Sequence, residues 1–153
     1  MTAGGTVLPS LLAALDDEHR RRLTALTSPV RFGEGEVIFR EGAPATRCWL
    51  LGSGSVVLTT HVPGRGAVAL ETLHGGDVLG WSWLGARPVW QFAAHAAAAT
   101  EAAEIDITAL ERMAGAEPEF GYVVTRALSG LLIARLQSTR ARLLDLYANR
   151  REM

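Results

Sequence analysis

A chain of 153 residues has the length of one domain and is long enough to bury a core without disulfide or metal staples. With 48% hydrophobic and 20% charged residues it reads as globular, not disordered. A formal charge of -1 excludes a general electrostatic pull toward nucleic acid or an anionic membrane. The single cysteine, Cys48, excludes an internal disulfide, and all 15 basic residues are arginine. No run reaches the ~18 apolar residues of a membrane span, and MTAGGTVLPSLLAAL lacks the basic start of a cleavable signal. The expectation is a cytoplasmic protein. Residues 28–117 carry 6 Arg against 10 acids and residues 118–153 carry 6 Arg against 3, which predicts two layers of one domain.

The chain opens with PSLLAALDDEHRRRLTALT, residues 9–27, which predicts helix started by Pro9 and Ser10. Asp16 and Asp17 divide its leucines into two patches and suit the cap of a second short helix, and Pro29 is read as its end. From Arg31 to Ile107, short runs such as EVIFR, RCWLLG, SVVLTTHV and AVALETL are cut by glycines. Strands at that spacing, with HVPGRGAV as a hairpin turn, predict a sandwich, roll or barrel. The run AAHAAAATEAAE is open between helix and strand.

Thr108 is read as the cap of a short helix, ALERMAGA, and Pro118 as the first turn of a long one. In the long helix Leu128, Leu132, Leu136, Thr139, Leu143 and Leu146 are spaced close to a coiled-coil seam. A helix of ~30 residues runs ~45 Å, longer than a small β body. One face is expected on that body and the seam on a second copy of the chain, the alternative being a helix packed only on its own domain.

The order of elements resembles the cyclic nucleotide-binding domain of the catabolite activator and FNR-type regulators, over about residues 10–150. FGEGEVIFREG (Phe32–Gly42), WLLGSGSVVL (Trp49–Leu58) and GGDVLGWSWL (Gly75–Leu84) carry the resemblance in order, and ARLQSTRARL resembles the family's dimer helix. It implies a mainly β fold with flanking helices (α+β), an antiparallel β-roll of double-stranded jelly-roll type. Short N-terminal helices and a long dimerising C-terminal helix complete it. The implied layout is a flexible start at 1–8 and one domain at 9–150, with a helical lead-in 9–28, a roll 30–107 and helices 108–150.

The resemblance also identifies what is altered. Ligand-binding members have Gly-Glu, a short helix, and Arg-Ser or Arg-Thr about ten residues on. Their Glu takes the ribose hydroxyl, and the Arg and the helix N-terminus take the cyclic phosphate. Here Gly80 stands in place, but Trp81 holds the Glu position and Gln91 and Phe92 hold the Arg and Ser/Thr positions. Losing one partner of a buried charge pair costs about 2–5 kcal/mol. A micromolar ligand is held by about 8.2 kcal/mol and a millimolar one by about 4.1, so a standard cyclic nucleotide is not the expected ligand, and the cofactor is left unknown.

The candidate ligand pocket comprises Gly80, Trp81, Ser82, Trp83, Arg87, Trp90, Gln91, Phe92, Thr139 and Arg140. Several have a second reading: Ser82 as a helix cap, Arg87 as a solvated turn residue, Thr139 as seam packing and Arg140 as surface. Whether the tryptophans line a pocket or fill it stays open at this point. Trp49 and Cys48 are read as core.

Other chemistries lack their residues. His19, His61, His74 and His95 are isolated, without metal-ligand spacing, and there is no phosphate-binding GxxxxGK[ST], no GxSxG and no Cys–His pair. No catalytic or metal site is expected. The chain ends at Met153, without the helix-turn-helix of the family's transcription factors. The arginines at 135, 140, 142, 150 and 151 are read as a solvated face. The expectation is therefore a stand-alone regulatory, ligand-sensing homodimer acting on another protein, without nucleic acid or membrane as partner. The alternatives are a ligand-free constitutive interaction module and a cAMP or cGMP sensor.

Overall fold

Alternation of apolar and polar residues along short glycine-bounded runs builds two antiparallel sheets that face each other. The computed structural model describes residues 7–151; residues 1–6 of the expected flexible start, and the side chain of Arg151, lie outside the described residues. The chain runs α1 (Ser10–Ala13), α2 (Asp17–Thr24), β1 (Thr27–Phe32), β2 (Val37–Phe39), β3 (Arg47–Ser53), β4 (Ser55–Val62), β5 (Gly66–His74) and β6 (Val78–Leu79). A 3-10 turn (Ser82–Leu84) follows, then β7 (Ala93–Ala96), β8 (Thr100–Asp106), α3 (Ile107–Ala116) and α4 (Pro118–Arg151). One sheet has the order β1-β8-β3-β6 and the other β2-β7-β4-β5, the jelly-roll arrangement expected.

Strand β3 shows how the layers are made. Successive side chains point to opposite faces. Trp49 and Leu51 enter the roll interior with Phe39, Val56 and Leu73, whereas Cys48 and Leu50 join an outer core with Leu12, Leu23, Ile105 and Phe120. Both faces of β3 are covered, so Cys48–Leu51 reads as an unbroken apolar run.

Two local expectations change and one open reading closes. Residues 27–32 form strand β1, not the end of a helix; β1 is an edge strand, where Pro29 deprives no neighbour of a needed N–H. The alanine run forms β7 and β8, because pairing of β7 with β4 and of β8 with β1 and β3 overrides alanine's helical propensity. The cap of α3 is Asp106, whose carboxylate accepts from the backbone N–H of Thr108 and of Ala109; Thr108 is already inside the helix. Asp16 does cap α2, accepting from the His19 N–H at 2.9 Å.

Helix α4 has 34 residues and is about 51 Å long at 1.5 Å per residue. Phe120, Val124 and Leu128 bury its first half in the outer core. Gly121 permits the close approach of α3, since a Cβ there would lie 2.8 Å from the Cβ of Ala114. Beyond Leu132 no described residue of α4 is buried. Leu136 (51% exposed), Leu143, Leu144, Leu146 and Tyr147 form an exposed apolar surface on its second half. None of the helices is long and apolar enough to cross a membrane among the described residues.

Candidate functional site

Strand β6 delivers the chain to Gly80, whose φ of +90° is a conformation that L side chains rarely adopt. A Cβ on Gly80 would lie 2.8 Å from Cη2 of Trp90 and 3.4 Å from Cζ3 of Trp49. The ground beside the glycine backbone is therefore taken by indole. Trp90 is 4% exposed. Its ring stacks on Phe39 with centroids 3.8 Å apart and planes 14° apart. Trp49 lies 5.9 Å from Trp90 and 5.7 Å from Phe39, and Phe92 lies 5.8 Å from Phe39. Trp49 donates from Nε1 to Glu104 at 2.9 Å, so its polar end is satisfied although the ring is buried. Burying one large aromatic removes about 150–250 Å² from water, and at about 25 cal/mol per Å² the stack is a major part of the core.

The ten candidate residues do not converge on one pocket. Gly80, Trp90 and Phe92 belong to the roll interior. Trp81 turns the other way, toward α4. Trp83 wedges between the two cores and lines a hollow of ≈ 140 Å³ under α3 and α4 with Leu110, Val124 and Leu128. Its Nε1 is buried without a partner, a cost of about 1–3 kcal/mol. Ser82 begins the 3-10 turn and is buried, but no side-chain hydrogen bond caps that turn, so the capping role does not hold. Arg87 is exposed. Gln91 is also exposed and donates from Nε2 to the Val89 carbonyl at 3.2 Å. Thr139 donates to the Arg135 carbonyl at 3.0 Å, and both it and Arg140 are exposed on α4.

The seam is divided in the same way. Leu128 is 3% exposed and packs in the chain's own core, so it has no surface to offer a partner. Leu132 is half-buried, and Leu136, Leu143 and Leu146 are exposed on the second half of α4. The reason is the length of α4: spacing alone does not reveal where the body beneath it ends.

The residues that gather around Trp81 were not among the candidates. A hollow of ≈ 310 Å³ is lined by Glu71 of β5, Asp77 and Val78 at β6, Trp81, and Leu131, Arg135 and Ser138 of α4. Arg135 grips Glu71 side-on, Nε to Oε2 at 3.1 Å and Nη2 to Oε1 at 3.0 Å. Its Nη1 is 4.0 Å from Asp77 Oδ1, and its Cζ lies 5.5 Å from the centre of the Trp81 ring. Glu71 and Arg135 are 64 positions apart and give no local signal. The available clue was an arginine one turn before Thr139, set in the apolar run LLIARLQ.

Other chemistry-bearing groups are engaged structurally. Burial pushes the Cys48 thiol up to about 12, so it is neither a nucleophile nor a soft ligand at neutral pH. His19 is buried, its ring stacked on Phe120 at 6.3 Å and its Nδ1 2.7 Å from Asp16 Oδ2. Among the described residues no cluster of three or more His, Cys, Asp or Glu is placed to hold a metal ion. A larger hollow, ≈ 550 Å³, lies behind β1 and β8 under α1, on the far side of the sheet from the aromatic stack.

Comparison with known proteins identifies the same fold. The family model for the cyclic nucleotide-binding domain matches residues 29–117, more than half of the chain. A cAMP-dependent protein kinase regulatory subunit of Dictyostelium discoideum is 36% identical over 74 residues, which is 46% of this chain and 23% of that protein. The chain thus spans less than a quarter of that relative's length. The N-terminal domain of a transcriptional regulator from Streptomyces coelicolor A3(2) superposes with a TM-score of 0.69 at 25% identity, covering 85% of this chain and 90% of that one. The catabolite activator protein of Thermus thermophilus gives a TM-score of 0.72 at 23% identity, with 91% of this chain and 63% of that one covered. At that identity the likeness speaks for the fold.

Proposed function

The chain belongs to the cyclic nucleotide-binding domain family, and on that premise we propose a regulatory domain whose nucleotide site is closed by its own side chains and whose output passes through α4. One observation carries the reading: the Trp90 ring lies against Gly80, stacked on Phe39, where the family's cassette meets its ligand. The interior offers a nucleotide no arginine for its phosphate, since Gln91 and Arg87 both face solvent. To enter, a ligand would have to displace a buried tryptophan and replace its contacts.

Dimerisation along α4 supplies the second half of the proposal. Leu136, Leu143 and Leu146 present an exposed apolar seam, which a second copy of the same helix covers by symmetry. The Dictyostelium relative is named as a kinase regulatory subunit and the Streptomyces one as part of a transcriptional regulator. For this chain they support a regulatory role, which the proposal places in a dimer acting on another protein. The ≈ 310 Å³ hollow at Trp81 favours a second reading, sensing of a small non-nucleotide ligand at the helix face, because its size falls at the lower end of ligand pockets.

The test is a calorimetric titration of the purified protein with cAMP and cGMP, paired with sedimentation of the wild type and of Leu143→Arg. The expected result is no saturable heat in the micromolar range and a dimer that Leu143→Arg separates without unfolding the roll. Micromolar saturation by either nucleotide would overturn the closed-site reading, and a wild-type monomer at tens of micromolar would overturn the dimer.

A further inference from the structure

We infer that Arg135 is an internal guest that latches α4 to the cassette, doing from within the chain what a bound molecule would otherwise do between helix and roll; this rests on the closed-site reading above. The host has three walls. Glu71 of β5 gives a carboxylate fork, Asp77 a second carboxylate, and Trp81 an indole face. A guanidinium suits all three, since its planar fork matches a carboxylate edge-on while its face lies against an aromatic ring. Trp81 occupies the position that holds the acidic ribose partner in ligand-binding relatives. In this chain it serves the helix instead.

Placement makes the contact a latch rather than a decoration. Arg135 is the last half-buried residue of α4; from Leu136 onward every described side chain is exposed. Past that point a single ion pair reaches back to the roll among the described residues, Arg142 Nη2 to Glu71 Oε1 at 3.4 Å. Both arginines thus close on one carboxylate. The Arg135 and Glu71 side chains are 21% and 20% exposed, so salt screens the pair less than it would an open surface pair. The walls belong to β5, the β5–β6 turn and the cassette, so the angle at which α4 leaves the body follows the position of the cassette. The hollow of ≈ 310 Å³ around the guanidinium leaves room for Arg135 to withdraw.

The experiment measures amide residual dipolar couplings in the full chain. In the wild type, one alignment tensor fits the roll and residues 133–147 together. In Arg135→Gln and in Glu71→Gln the roll couplings stay as they were, while those of residues 133–147 scale down by about half or more as the helix samples several angles. Arg135→Lys, which keeps the charge without the fork, falls between them. Couplings of 133–147 that are unchanged in both single variants, or already scaled down in the wild type, would overturn the latch. Sedimentation and nucleotide titration of the same samples keep the readings apart: a nucleotide-binding or monomeric wild type defeats the proposed function, whereas a rigid helix in Arg135→Gln defeats only the latch.

Discussion

Two tryptophans stand nine positions apart, both after Gly80, and are held by opposite physics. Trp90 lies in the roll interior, buried, stacked on Phe39 and closed over by apolar neighbours. Trp81 lies at the helix face, half-buried, with the Arg135 guanidinium above it and two carboxylates beside it. The interior is maintained by removal of apolar surface from water, which is non-directional and strong. The helix face is maintained by a few directional, charged contacts that are individually weak at a partly exposed site. On the reading proposed above, the cassette is two things at once: a plug on one side and an adjustable contact on the other.

The largest effect that separates the two sides is expected from truncation. Trp90→Ala should lose about 3–5 kcal/mol of stability, as for other buried aromatics, while Trp81→Ala should lose about 1 kcal/mol or less. Urea unfolding of both variants measures this, and equal losses would break the comparison. Next comes Gly80→Ala. At φ +90° and with Trp90 Cη2 2.8 Å from the new Cβ, the variant should lose about 1–3 kcal/mol and shift the near-ultraviolet dichroism of the stack. An unchanged melting temperature would mean that the glycine and the ring can move apart, and the interior would be less of a plug than its packing implies.

The smallest effect concerns the charge-held contacts that support α4 from below. The Asp16 carboxyl is held below the usual carboxylate range, first by the His19 backbone N–H and then by the His19 ring. Its folded pKa is depressed, so the stability it contributes is present above the ordinary value of 3.8 and is lost as pH falls through the folded value. Asp16→Asn should flatten the acid limb of the stability profile below about pH 4 and leave neutral pH little changed. An identical acid limb in the variant would remove Asp16 from the contacts that seat Phe120.

The β body was legible because short β-branched or aromatic runs cut by glycines are a local signal, and β3 to β5 fall where that signal puts them. The edge strand β1 was not, because Pro29 marks a helix end and an edge strand equally well. At the site, the sequence offers Trp81, Gln91 and Phe92 where the resemblance leads one to expect the anchor residues. Which tryptophan points where was not legible. Trp90 faces inward because the bridge between Pro44 and Val89 and the hydrogen bonds joining Ala43, Ala45 and Gly42 to residues 88 and 90 seat it over Phe39. Those contacts join segments more than forty positions apart. The Arg135–Glu71 pair is hidden for the same reason: nothing in either neighbourhood announces the other.

The second half of α4 has a mechanical consequence. From Arg135, its last half-buried seat on the roll, to Arg151 the helix runs about 24 Å. A pivot of about 5° at that seat carries the far end through about 2 Å, while the cassette side of the fulcrum shifts by a fraction of that. In the proposed dimer the two arms lie together along the seam, so the pair moves as one lever. A small repacking at the indole face would be delivered, enlarged, to its far end.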